Sequence, residues 1–334
     1  MIKLSVLDQS TVVSGRAPAA AIQESLALAR HCEALGYGRY WLAEHHNSAS
    51  QAGTAPEVLI AAIAATTRHI RVGSAGVMLP HYSALKVAEQ FRVLEAIAPG
   101  RIDLGVGRAP GSDGRTAFAL NPLAETAAEH FPAQLRDLLA WVRGEDLLEN
   151  HPFRTVTAQP AGPGAPEVWV LGSSHYGAEV AAYFGLPFCF AHFITDGHGT
   201  EEALALYRGG YRPSARHPAP QAALGIWAFA AETAEDAEYG FASRALWRLG
   251  RDRGVFPPLP TPEEALAYPY SDAERAHVAR IKARALYGTK AETAARIRAL
   301  AETHDVAEIV ILSTIADPAA RRLSYTLLAE AFAA

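Results

Sequence analysis

Three polar residues in succession, Glu44-His45-His46, follow directly on the apolar run Tyr40-Trp41-Leu42-Ala43. Side chains alternate across a strand, so two of the three share one direction and the third faces the other way. A histidine beside a carboxylate at a strand end can serve as a general base or as a hydrogen-bond donor to a reacting group. It can also begin a metal site, but ligation wants about three or four ligands. Only His192 and Asp196 supply a comparable pair at another strand end. Metal binding is therefore the weaker reading, and a hydrogen-bonded polar loop is the bland one.

Gly105-Val106-Gly107-Arg108-Ala109-Pro110-Gly111 comes near a dinucleotide fingerprint. It misses the G-x-G-x-x-G spacing by one residue, and Pro110 stands where a helix should open. The Rossmann reading fails on both counts. What remains is a glycine-lined strand end where a flat ligand can approach backbone, with Arg108 available for an anion or for a surface ion pair. Gly172-Ser173-Ser174 separates an apolar run from a helix that begins near His175. Free N–H groups at a helix start, with hydroxyls beside them, make a phosphate site, although a serine there is equally an ordinary cap. Arg108 on the neighbouring strand tips the balance toward phosphate. Gly73-Ser74-Ala75-Gly76 places small residues inside an apolar strand, a sign of close backbone approach or a bulge. Trp41, Tyr82, Phe190, Trp227 and Phe229 are in or near strands, where most are core and some can line an apolar pocket.

The elements that must position these residues alternate strand and helix along the chain. Apolar runs at 4–7, 40–43, 70–79, 101–106, 168–171, 188–191, 224–229 and 309–312 read as eight strands, each followed by helical spacing. Helices are expected at 19–35 ending at Gly36, from Pro56 to about Thr67, from Ser83 to Ala98, at 124–144, and from His175 to Phe184. Later ones fall near 201–211, 234–249, 273–286 and 290–303, with a last helix from Pro318. Residues 108–123 read as a long loop, and the proline-containing stretch 250–272 as an excursion. Short strands that are apolar throughout fit a parallel sheet buried on both faces. Such alternation also suits an open doubly wound sheet. Eight units without a second domain favour a closed (β/α)₈ TIM barrel, whose active site lies at the C-terminal ends of the strands. The expected organisation is one domain over residues 1–334, with insertions after strands four and seven. The second, at 250–303, contains a segment that could close as a lid.

The chain has 334 residues, 50% hydrophobic and 19% charged. That is enough to bury a large core and excludes disordered and disulfide-scaffold classes. Thirty Lys and Arg against thirty-five Asp and Glu give a charge of −5, without a run of either sign. No basic stripe points to nucleic acid. Asp8 comes too early for a signal peptide, and the apolar stretch Val58 to Ala65 is far short of a membrane span. Cys32 and Cys189 fit no metal or redox spacing and read as reduced thiols, so a cytoplasmic enzyme is expected.

The sequence resembles the bacterial luciferase-like monooxygenases. The similarity is carried by Trp41-Leu42-Ala43-Glu44-His45-His46, Val72-Gly73-Ser74-Ala75-Gly76-Val77-Met78-Leu79-Pro80 and Val87-Ala88-Glu89-Gln90. It continues through Pro99-Gly100-Arg101-Ile102-Asp103-Leu104-Gly105-Val106-Gly107-Arg108 and Phe184-Gly185-Leu186-Pro187. The resemblance implies a TIM-barrel flavoprotein, an oxidoreductase using reduced, non-covalent FMN and O₂ to oxygenate a small organic substrate. A separate flavin reductase and a homodimer built on the helices near 54–67 and 83–98 are implied as well. Deazaflavin-dependent hydride transfer and non-catalytic flavin binding are the alternatives.

By the same resemblance His45 is the active-site histidine and Glu44 its motif neighbour. Ser74-Ala75 backs the flavin ring, often through a non-proline cis peptide. Gly107 lies at the strand end, and Arg108 with Gly172, Ser173 and Ser174 belongs to the phosphate end. Three departures stand out. Gly107 replaces a reactive cysteine of the light-emitting subunit, Ser173 an acidic residue, and Gly177 a hydroxyl residue.

Overall fold

The structure is a computed structural model and describes residues 2–333. Met1 and Ala334, the two ends of the expected domain, lie outside the described residues. Among the described residues ten strands form, in chain order: β1 (Lys3–Asp8), β2 (Arg39–Leu42), β3 (Arg71–Ser74), β4 (Val77–Met78) and β5 (Ile102–Gly107). Then come β6 (Glu167–Gly172), β7 (Phe188–Phe190), β8 (Ala222–Ala231), β9 (Leu286–Thr289) and β10 (Glu308–Leu312). Every strand pairing is parallel, and the order β10-β1-β2-β3-β5-β6-β7-β8 returns to β10 through the β10–β8 ladder. The sheet therefore closes into a (β/α)₈ barrel of eight staves, with β3 and β4 sharing one stave and β9 outside the ring.

The shared stave departs from the unbroken 70–79 strand expected from sequence. Pairing runs from Gly73↔Asp103 to Val77↔Val106, four residues along one strand against three along the other. One extra residue makes a bulge, the outcome that the small residues there foretell. Glycine is required at this seam. A Cβ on Gly105 would overlap the Ser74 carbonyl oxygen, and one on Gly76 would stand 2.7 Å from the Gly105 carbonyl oxygen.

Covering helices start and stop where local chemistry dictates. Pro18–Ala34 is followed by Gly36 in the left-handed region at φ 81°. Pro56–Thr66 opens on proline with Glu57 in its first turn. Ala84–Ile97 is capped by Ser83, whose hydroxyl accepts from the Lys86 N–H. On the outer faces of the last two, Val58, Val93 and Ile97 are exposed.

The stretch between β5 and β6 is more helical than expected. Asp113 caps a helix at Gly114–Leu120, accepting from the Arg115 and Thr116 N–H groups. The single helix expected at 124–144 is two, Ala124–Glu129 and Phe131–Arg143, divided at His130 ahead of Pro132. Between β8 and β10 the chain forms helices Ala234–Arg251, Pro262–Ala267, Asp272–Arg284 and Lys290–Thr303 and the strand β9. Residues 250–261 are tied to the β1 loop: Leu259 N donates to Val12 O, and Ser14 N donates to Leu259 O, both at 2.8 Å. No described helix is long and apolar enough to cross a membrane.

The N-terminal end of the barrel is filled by a charged plug. Arg39, at the start of β2, lies 2.8 Å from Asp103 and Glu167 and 2.9 Å from Glu308. Trp41 Nε1 donates to Asp103 at 2.8 Å, and Arg71 adds a second guanidinium to that carboxylate. Above it Trp41 and Trp169 meet edge to face at 5.1 Å. This end of a barrel carries stability.

Candidate active site

At the opposite end, the C-terminal strand ends surround a cavity of about 360 Å³. The alternation expected of Glu44-His45-His46 is what positions its first wall. Glu44 and His46 turn one way and bond each other at 2.7 Å, while His45 faces the cavity. Glu44 is 1% exposed and also accepts from the Met78 N–H at 3.0 Å and the Tyr82 hydroxyl at 2.6 Å. It ties β2 to β4 behind the wall and does not line the cavity.

His45 is fixed through its backbone, whose N–H donates to Gly53 O at 2.9 Å. Its buried Nδ1 has no partner among the described residues. Burial pushes the imidazole pKa down to about 4, and nearby His46 adds to that while Glu44 opposes it. His45 is neutral at pH 7, so one ring nitrogen donates and the other accepts.

The second wall is the bulged seam. Ala75 and Gly76 line the cavity, and the peptide bond between them is cis, one residue beyond the Ser74-Ala75 step. Ser74 is fully buried with its hydroxyl donating to Gly105 O at 2.8 Å, so it stays within the barrel wall. Gly107 follows on β5, where a Cβ would meet nothing closer than 3.8 Å.

The third region joins Arg108 to the start of the helix His175–Phe184. Arg108 is exposed, has no salt bridge among the described residues, and places its guanidinium 4.0 Å from the Tyr176 ring centroid. Gly172, Ser173 and Ser174 line the cavity beside it. Ser174 stands at the N-cap, yet its side chain makes no capping bond. The ordinary cap is thus not used, and hydroxyl and helix-start N–H groups remain for an anion. Of the nine residues singled out from sequence, seven line this one cavity; Glu44 and Ser74 support it from behind.

Met78, Phe193, Thr314, Trp247 and Arg244 also line the cavity and were not singled out from sequence. Arg244 lies inside a helix of ordinary charge content. Its one sequence signal is register: it falls on the buried face with Ala237, Phe241 and Arg248. Cys32 and Cys189 are free and buried, and burial pushes both thiols up, so neither is a ready nucleophile. Among the described residues, no three metal-ligating side chains come together.

The pattern that defines luciferase-like monooxygenases matches residues 2–306. The chain belongs to this family. A luciferase-like monooxygenase of Escherichia coli (strain K12) is 40% identical over 98% of this chain and 96% of its own length. The N-acetyl-S-alkylcysteine monooxygenase of Bacillus subtilis (strain 168) is 39% identical over 99% and 98%. Among solved structures, apo-MsnO8 superposes with a TM-score of 0.90 at 38% identity, covering 100% of this chain and 99% of that one. The luciferase-like assignment agrees with the closed barrel and with the position of the cavity at its C-terminal end.

Proposed function

We propose that this protein binds reduced FMN in the cavity and uses it with O₂ to oxygenate a small organic substrate, the flavin being reduced by a separate enzyme. The observation that supports this most directly is the grouping, around one cavity, of His45, the Ala75-Gly76 wall and an Arg108–Ser173–Ser174 anion end. The residues fit the cofactor. His45 Nδ1 is orphaned, Ser174 leaves its helix start uncapped, and the Gly76 and Gly107 backbone offers a wall that a planar ring can approach.

A bound flavin supplies the oxygen chemistry that the side chains lack. The chain supplies position and surroundings. Arg108 and the serine loop would hold the phosphate, and Ala75-Gly76 would lie along the ring. Neutral His45 would offer a hydrogen bond to the bound cofactor or substrate. Phe131, Phe193 and Trp247 keep water from the apolar part of the cavity.

N-acetyl-S-alkylcysteines are the first compounds to assay, since one relative is named for them. The test is anaerobic titration with reduced FMN and with reduced deazaflavin, then admission of ¹⁸O₂ with the candidate substrate. Tighter binding of FMN and one labelled oxygen atom in the product are expected. Preference for deazaflavin with substrate reduction would replace the reading with hydride transfer. Flavin binding without turnover of any substrate would reduce it to a binding protein.

A further inference from the structure

The helix Ala234–Arg251 follows β8 and turns one face toward the cavity. Arg244, Trp247 and Arg251 line the cavity from this face, and Arg248 shares it. Two carboxylates stand against the three guanidiniums. Asp196 is taken by Arg248 through two parallel bonds of 2.9 and 2.6 Å. Asp252 lies 3.4 Å from Arg251 and 2.8 Å from the His277 ring. Arg244 has neither: it forms no salt bridge among the described residues, and its buried Nε has no hydrogen-bond partner.

Arg244 is 5% exposed and lies 4.0 Å from the Trp227 ring centroid. Trp227 is itself held by its Nε1–H bond to Thr314 at 2.9 Å. The aromatic face offsets part of the lost hydration, but a buried guanidinium without an anion is costly. Burial, then the nearby Arg248 charge, disfavours its charged form, and Asp196 and Asp252, bonded to other partners, offset this only in part. Apart from Arg108, assigned above to the phosphate end, one guanidinium without a carboxylate is left beside the cavity walls of Phe193, Trp247, Phe256 and Leu312.

We propose that Arg244 selects the substrate by binding its carboxylate, so that the organic substrate is an otherwise apolar monocarboxylate. A planar guanidinium fork matches a carboxylate through two hydrogen bonds, and one surplus charge matches a monoanion. Asp196 and Asp252 cannot fill this role, since both are already engaged. The proposal rests on the flavin reading for what the carboxylate-bearing molecule undergoes, but the anion site stands on its own geometry.

Hexanoate, hexane-1-sulfonate and hexanamide, titrated into the full chain with and without FMN, provide the test. Hexanoate should bind at least tenfold more tightly than hexanamide, a comparison that needs no variant. Arg244→Met should remove that preference, Arg244→Lys should keep part of it, and the affinity for FMN should stay within about twofold in both. Equal binding of hexanoate and hexanamide to the wild type overturns the proposal, as does hexanoate binding that Arg244→Met leaves intact. Stronger binding of the sulfonate than of hexanoate overturns the carboxylate assignment. A tenfold loss of FMN affinity in Arg244→Met, with riboflavin binding unchanged, would assign Arg244 to the flavin phosphate and also overturn it. Failure of the wild type to bind any flavin removes the oxygenase reading, while hexanoate selectivity would still support the anion site.

Discussion

Glu44 and His45 are adjacent in the chain and do opposite work in the fold. Glu44 is satisfied by Met78, Tyr82 and His46, whereas His45 keeps an unpartnered ring nitrogen toward the cavity. Replacing His45 by Gln keeps polarity but loses the imidazole, and turnover should fall by about 10²-fold in steady-state assays. The same residue shapes acid stability. Its ordinary value is 6.5 and its folded value about 4. Between these the unfolded chain takes up a proton that the folded chain refuses, so stability present above pH 6.5 is lost as pH falls toward 4. The contribution is on the order of 3 kcal/mol. Melting temperature against pH should therefore fall less steeply for His45→Gln than for the wild type over that window. Some slope remains, because burial also pushes His192 down to about 4.

At the scale of elements, the seam between the third stave and β5 is the most exacting contact near the cavity. Gly105 has no room for a methyl group, since Ser74 backbone and the Leu171 side chain occupy it and the backbone is pinned by the β6 ladder on one side and the Ser74 hydroxyl on the other. Gly105→Ala should destabilise the fold by about 3 kcal/mol in urea unfolding and weaken flavin binding through displacement of Ala75-Gly76. Close approach here was legible in the sequence, because four small residues interrupt an apolar run. The division into β3 and β4 was not, since a bulge depends on the partner's register as well as on local composition. The helix Gly114–Leu120 was missed for a similar reason: its signal is the single cap Asp113 inside a stretch otherwise read as loop. Strands buried on both faces were the easiest to read, as their apolar runs need no partner to be recognised. His45, Arg108 and the serine loop were legible as strand-end residues once a barrel was inferred. Arg244 was not, because register with Ala237 and Phe241 places it on the packed face without showing that a long charged side chain stays inside rather than reaching out to solvent.

For the molecule as a whole, the charged plug joins five staves at the end remote from the cavity. Arg39 is its hub, shared by Asp103, Glu167 and Glu308 from β5, β6 and β10. Arg39→Met would leave three acidic groups close together with one guanidinium fewer among them. The expected cost is about 3–5 kcal/mol, seen as a lower urea midpoint at pH 7. Asp103 retains Arg71, so a cooperative transition should persist. Flavin affinity of the folded variant should be little changed, because none of the charged plug residues lines the cavity and Trp41, which does, keeps its bond to Asp103.

That plug, with Trp41 and Trp169 above it, also closes the barrel below the cavity. Cofactor and substrate would then both come and go through the C-terminal mouth. Were they to sit one above the other, the deeper would enter first and leave last. Exchange of a spent cofactor would then wait for the outer guest to go, and the sequence of arrivals becomes a property of the architecture, whatever the individual affinities.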